Sequence, residues 1–171
     1  LIYNFNLNRL LMKILFFIIN FFIVVTCFGQ KITVNGNWKL KLKATEIIEA
    51  GNDYKGTHLS KRNQSKITVT SHPKSKYFDL YGRYKVFVHK EDNEWHPQLK
   101  IQVKRTAKGI SGNNNINSGL VFQTITNHSS FFLNTTGKHV KIPIQYRIKG
   151  ISVLLPVKKY STQIIFTVLN L

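Results

Sequence analysis

The sequence predicts an all-β chain, a β-sandwich of about seven to nine short antiparallel strands behind an N-terminal leader. Three observations predict it. Apolar and polar residues alternate with period two over most of the chain after Gln30. Clusters of Gly, Asn, Asp, Ser and Pro separate the alternating runs. No stretch after Gln30 carries the apolar spacing of a convincing amphipathic helix. A closed barrel is the alternative architecture.

The elements follow in chain order. Residues 1–11 precede the only Met, Met12, and are expected to be an upstream extension. Lys13 and the apolar run from Ile14 to Val25, broken only by Asn20, then lead to Cys27-Phe28-Gly29. A positive start, an apolar centre and small residues before a cut are the parts of a secretory signal peptide, which places it at 12–29 with cleavage after Gly29. The competing reading is an uncleaved anchor, but the run falls short of the ~20 residues that a spanning helix needs. A lipid-bearing Cys27 is disfavoured by Thr26, where lipoprotein signals carry a smaller residue. The expectation is export to the periplasm, cell surface or medium, with no stable membrane span after cleavage. The rest, 30–171, reads as one domain without internal repeats.

In that domain Trp38, Leu40, Leu42 and Ala44 alternate with Lys39, Lys41 and Lys43, the pattern of a strand with one wet face. Thr45 to Ala50 reads as a helical turn closed by Gly51, and Gly51 to Gln64 as loop. Further strands are expected around Ile67 and Val69, around Tyr84, Val86 and Val88, and around Leu99, Ile101 and Val103, with Glu91 to Glu94 as a turn. Gly109 to Gly119 is a loop, Val121 to Thr126 a short strand, and Phe131 to Leu133 a brief strand or a plug. Val140, Ile142, Ile144, Tyr146 and Ile148 form the longest alternation, Ile151 to Leu155 follows Gly150, and Ile164, Phe166 and Val168 close the chain. Trp38, Leu40, Leu42, Val86, Val103, Ile142, Ile144, Tyr146, Phe166 and Val168 are the expected core.

Composition bounds the function. With 43% hydrophobic residues, including 12 Phe and 7 Tyr, the chain buries too much to be intrinsically disordered. A single Cys excludes an internal disulfide framework, so packing and hydrogen bonds alone must stabilise the fold. The six histidines, His58, His72, His89, His96, His128 and His139, never fall at i, i+2 or i, i+4, so no metal site is expected. Acids are few, 7 in all, and most of them cluster: Glu46 and Glu49 near a turn, then Glu91, Asp92 and Glu94 together, with none from Trp95 to Leu171. That leaves the second half without an acid–base pair. There is no nucleophile elbow and no phosphate loop, since Gly109 to Gly112 lacks the Lys-Ser/Thr that would follow. No enzymatic activity and no cofactor are expected. Asn63, Asn127 and Asn134 begin Asn-x-Ser/Thr triplets, which an Asn-rich sequence also produces by chance.

Charge is the strongest remaining signal. The chain has 25 Lys+Arg against 7 Asp+Glu, a formal charge of +18, and the expected leader accounts for only Arg9 and Lys13 of the basic residues. Ten of the cations fall on alternate strand positions: Lys39, Lys41, Lys43, Arg83, Lys85, Lys100, Lys104, Lys141, Arg147 and Lys149. They form a candidate anion-binding face, and an exported protein would meet anionic polysaccharide, lipopolysaccharide or extracellular DNA there. Phe87, between basic positions, could stack a base. The plainer explanation is a codon bias that raises Lys, Asn, Ile and Phe together, or lysines that oppose edge-to-edge aggregation.

The chain end adds a resemblance. Gly150-Ile151-Ser152-Val153, Pro156-Val157, Tyr160-Ser161-Thr162 and the alternating Gln163 to Val168 resemble the last strand of small exported bacterial β-sandwich proteins of the spore-coat-protein-U and pilin-like type. The resemblance implies an Ig-like sandwich at the cell surface that acts as a structural or adhesive subunit and self-associates or meets an assembly partner. Lys31 to Val34 is then the candidate for a donated strand. The sequence departs from the pattern in lacking the disulfide common in such pilins.

Overall fold

The structure, a computed structural model, describes residues 29–43, 54, 56–72, 76–111 and 114–171. The expected signal peptide, apart from Gly29, and the turn from Thr45 to Ala50 lie outside these residues. The described chain is almost entirely antiparallel β-sheet. Its strands are β1 (Gly29–Asn35), β2 (Thr57–Leu59), β3 (Ser65–His72), β4 (Arg83–Glu94), β5 (Lys100–Arg105), β6 (Ile116–Asn117), β7 (Gln123–Thr124), β8 (Ser130–Thr136), β9 (His139–Lys149) and β10 (Ser161–Asn170). One short helix, α1 (Lys76–Tyr81), links β3 to β4. The strands outnumber the expected seven to nine because β2, β6 and β7 are too short to show a period.

Two sheets form. The larger runs β1-β3-β9-β5-β7, with β2 on the same edge of β9 as β3 but further along it; the smaller runs β10-β4-β8-β6. After β3, every connection carries the chain from one sheet to the other, so none of these strands pairs with its successor. The crossing from β8 to β9 takes only Gly137 and Lys138. Gly137 has φ 64, and a Cβ there would come within 2.6 Å of the Asp79 carbonyl oxygen, so the corner excludes larger residues.

Alternation then aims one face of each sheet inward. Ile67, Val69, Ile101, Val103, Ile142 and Ile144 from the larger sheet meet Tyr84, Val86, Val88, Phe132, Leu133, Phe166 and Val168 from the smaller one in a single apolar layer. Each fully buried side chain of this kind contributes roughly 1.5–3 kcal/mol relative to exposure. At one end of the layer Tyr146 stacks on Trp38, with ring centroids 6.4 Å apart, and its hydroxyl meets Ser65 Oγ at 2.7 Å.

β9 holds one irregularity that the alternation conceals. Ile67 pairs with Ile142 and Val69 with His139, so β9 carries an extra residue there. Lys141 takes φ 55 in this bulge, and its N–H donates to Thr68 Oγ1. The extra residue reverses the parity of the strand. His139 therefore turns into the core, fully buried between the carbonyl oxygens of Lys108 and Asn115, and Val140 does not.

Several local expectations need correction. Residues 36–43 form no strand; β3, which lies beside the end of β1 where they begin, is already paired on both sides, by β1 and β9. Trp38 packs against the core, whereas Leu40 is 37% exposed and Leu42 only half-buried. Glu91 to Glu94 is no turn; it extends β4 and pairs with the start of β10. Val121 to Thr126 contributes only Gln123 and Thr124 to a strand, and Ile151 to Leu155 is irregular. α1 was not expected from apolar spacing, since it buries no residue; it is tied down by Asp79, whose Oδ1 accepts from the N–H and hydroxyl of Ser71.

Candidate functional site

The outward face of the larger sheet gathers cations from four strands. On β5 the inward residues Ile101, Val103 and Arg105 alternate with Lys100, Gln102 and Lys104. On β9 the partners of those outward residues are Lys149, Arg147 and Gln145. Lys100 therefore stands directly opposite Lys149. Lys66 on β3 and Lys31 on β1 continue the same face, opposite Asn35 and Thr70 respectively. The ion pair among the described residues joins Lys90 to Asp92 at the far end of β4, so none of these six cations is neutralised by a described acid.

At the centre of the β5–β9 face one cation is held in place. The Arg147 guanidinium lies over the Phe122 ring, with Cζ 4.0 Å from the ring centroid, and Lys104 Nζ sits 4.7 Å from the same centroid. Arg147 Nε donates to Gln102 Oε1 at 2.6 Å, and Gln102 Nε2 donates in turn to Thr124 Oγ1 at 3.0 Å. Phe122, Thr124, Gln102 and Arg147 thus form one chain of contacts across three strands. Arg105, by contrast, points inward. Its Nε and Nη2 donate to the carbonyl oxygens of Ser118 and Ile116, and burial pushes its pKa down.

Comparison with protein-family models, curated proteins and solved structures finds no match to the chain. The site is accordingly read from its own chemistry.

The structure divides the ten cations expected to share a face. Lys100, Lys104, Arg147 and Lys149 come together on the larger sheet, and Lys141 lies exposed on the bulge of β9. Arg83 and Lys85 belong to β4 in the smaller sheet, because the chain changes sheet between β4 and β5. Lys39, Lys41 and Lys43 lie on the irregular segment after β1, all exposed. Phe87 is on the smaller sheet and meets Phe131 edge-on at 6.1 Å, away from the cationic face. Lys31, Lys66 and Phe122 belong to the site without having been singled out. The first two had an alternation signal; Phe122 had none, since only the β5–β7 pairing brings it beside Arg147.

Titratable groups elsewhere are dispersed. Among the described residues no three His, Cys, Asp or Glu side chains gather closely enough to hold a metal ion. His139 is buried, His96 meets Tyr160 edge-on at 6.1 Å, and His128 is exposed. No described helix is long and apolar enough to cross a membrane.

Proposed function

We propose that this is an exported, non-catalytic protein that binds anionic polymers through the outward face of its larger sheet. One observation carries the reading: Lys100 and Lys149 are direct cross-strand partners in a sheet face whose cations meet no described acid. Like charges opposite one another destabilise a sheet, and a polyanion laid along the face removes that cost while releasing its own counterions. The outward positions follow one another at about 6.6 Å along each strand, so an extended chain with repeated negative groups meets several cations together.

The test is binding to immobilised dextran sulfate over a range of salt. Wild-type protein binds with an affinity that falls steeply as salt rises, and replacing Lys100, Lys104, Arg147 and Lys149 by Gln abolishes most of it. Replacing Lys39, Lys41 and Lys43 instead changes it little. Equal losses from both variants would make the charge non-specific and overturn the reading.

A second reading, a structural or adhesive surface subunit with an Ig-like or pilin-like sandwich, draws support from the smaller sheet. β10 is an edge strand of ten residues, STQIIFTVLN, without a single charge, and such edges accept further strands. The Tyr of the terminal motif also bonds within it, Tyr160 OH donating to the Pro156 carbonyl at 2.7 Å. The candidate donor segment, Lys31 to Val34, is paired with β3 of its own chain. A heat-sensitive ladder on an unboiled detergent gel would favour this reading over the first; a lone band would remove it.

A further inference from the structure

We propose that Arg147, held on the Phe122 ring beside Lys104, is an oxyanion-binding subsite that takes the carboxylate or sulfate groups of an acidic polysaccharide. The proposal rests on the reading that the larger sheet binds polyanions, and it assigns the ligand class and the residue that recognises it.

Three features distinguish Arg147 from a mobile surface cation. Its Nε is committed to Gln102 at 2.6 Å, and Gln102 is fixed by Thr124 at 3.0 Å, so the plane of the guanidinium is set from one side. Its Cζ lies over the Phe122 ring, 4.0 Å from the centroid. Neither terminal nitrogen donates to an acceptor among the described residues, which leaves the outer edge of the fork available. An arginine oriented in this way offers two parallel N–H donors to one oxyanion, and most of the entropy of ordering it is spent within the protein. Lys104, with Nζ 4.7 Å from the centroid of the same ring, supplies a second positive charge there.

The surroundings favour a saccharide over nucleic acid. Proteins that hold single-stranded nucleic acid present open aromatic faces on which bases stack. Here the ring on the face is already covered by Arg147 and Lys104, and Phe87 and Phe131 pack against each other on the other sheet. Next to Arg147 stand Gln102 and Thr124, whose amide and hydroxyl suit the hydroxyl groups of a sugar.

The test compares the full chain with Arg147→Lys, which keeps the charge and loses the fork, and with Arg83→Lys, the same exchange on the other sheet. A third variant, Phe122→Leu, removes the ring. The probes are polygalacturonate for carboxylate, dextran sulfate for sulfate, neutral dextran and single-stranded DNA, titrated at fixed salt. The expected result is a drop of about tenfold in affinity for one or both acidic polysaccharides in Arg147→Lys, with Arg83→Lys within about twofold of wild type. The polymer that shows the drop identifies the group. Unchanged binding in Arg147→Lys overturns the subsite while leaving the broader reading intact. Tighter, Arg147-dependent binding to DNA than to either polysaccharide overturns the ligand class. No binding of wild type to any polyanion overturns the broader reading itself. Thermal melts of the variants separate lost binding from lost fold, and Arg147→Lys alone decides the point if Phe122→Leu unfolds.

Discussion

Lys100 and Lys149 are direct partners across the β5–β9 ladder, two residue pairs along from Gln102 and Arg147 and on the same face. Reversing one charge turns a repulsive pair into an attractive one. Lys149→Glu is expected to stabilise the fold by roughly 0.5–1 kcal/mol and to weaken polyanion binding at the same time. Denaturant midpoints and the salt-dependent binding assay, run on the same preparation, check both halves. A variant that gains stability without losing affinity would detach this pair from the binding face.

The hydroxyl of Tyr146 and Ser65 Oγ lie 2.7 Å apart in the buried end of the layer. Tyr146→Phe leaves Ser65, itself 1% exposed, without that partner and is expected to cost about 1–2 kcal/mol at neutral pH. Burial raises the Tyr146 pKa, partly opposed by the bond with Ser65. The folded state therefore favours the neutral phenol: its contribution is full below the unfolded tyrosine value and is lost as pH rises through the folded one. Wild type should lose stability in alkali, and Tyr146→Phe should lose less. Urea melts at neutral pH and above about pH 10 measure the difference.

Lys141 occupies the left-handed region at φ 55, where an L side chain costs about 1 kcal/mol. Glycine has no such cost but loses more entropy on folding. Lys141→Gly is expected to stabilise by roughly 0.5 kcal/mol and Lys141→Val to destabilise by more than about 1 kcal/mol. Equal melting midpoints for the two variants would mean that the bulge relaxes when its residue changes.

Asp92 bonds to Lys90 and Thr162 where β4 meets the start of β10. Burial pushes its pKa up, but the bonds from Lys90 and Thr162, the Lys90 charge and a bond from Asn127 outweigh it and lower the value. A lowered carboxyl contributes stability that is full above the unfolded value and lost as pH falls through the folded one. The group is largely exposed, so the effect is about 0.5 kcal/mol after screening. The protection factor of the Thr162 amide, corrected for intrinsic exchange at each pH, should fall on acidification in wild type and show a flatter pH response in Asp92→Asn.

The parts of the fold that the sequence made legible are those with one wet face. β3, β4, β5, β9 and β10 show period two because burial acts on alternate residues, and Val86, Val103, Ile144 and Phe166 lie in the core as expected. Which strand pairs with which was not legible, because after β3 the chain leaves a sheet at the end of every strand. That is also why Arg83 and Lys85, patterned like Lys100 and Lys104, face another direction. The bulge at Lys141 hid a second point: Val140 and Ile142 look equivalent in the sequence, yet one inserted residue sends His139 inward in place of Val140. The cations of the site could be read from alternation. The Phe122 contact could not, since it depends on a pairing two residues long.

The sheet-switching connections also set an order of events during synthesis. β4 receives its partner β10 only from the last residues of the described chain, and Phe166 and Val168 from that strand complete the apolar layer. Until they emerge, Val86 and Val88 face an unfinished interior and β4 keeps an unpaired edge. A ribosome that still holds β10 in its tunnel therefore holds an open sandwich. Closure comes late and non-locally, the regime in which folding is slow and exposed edges invite mispairing.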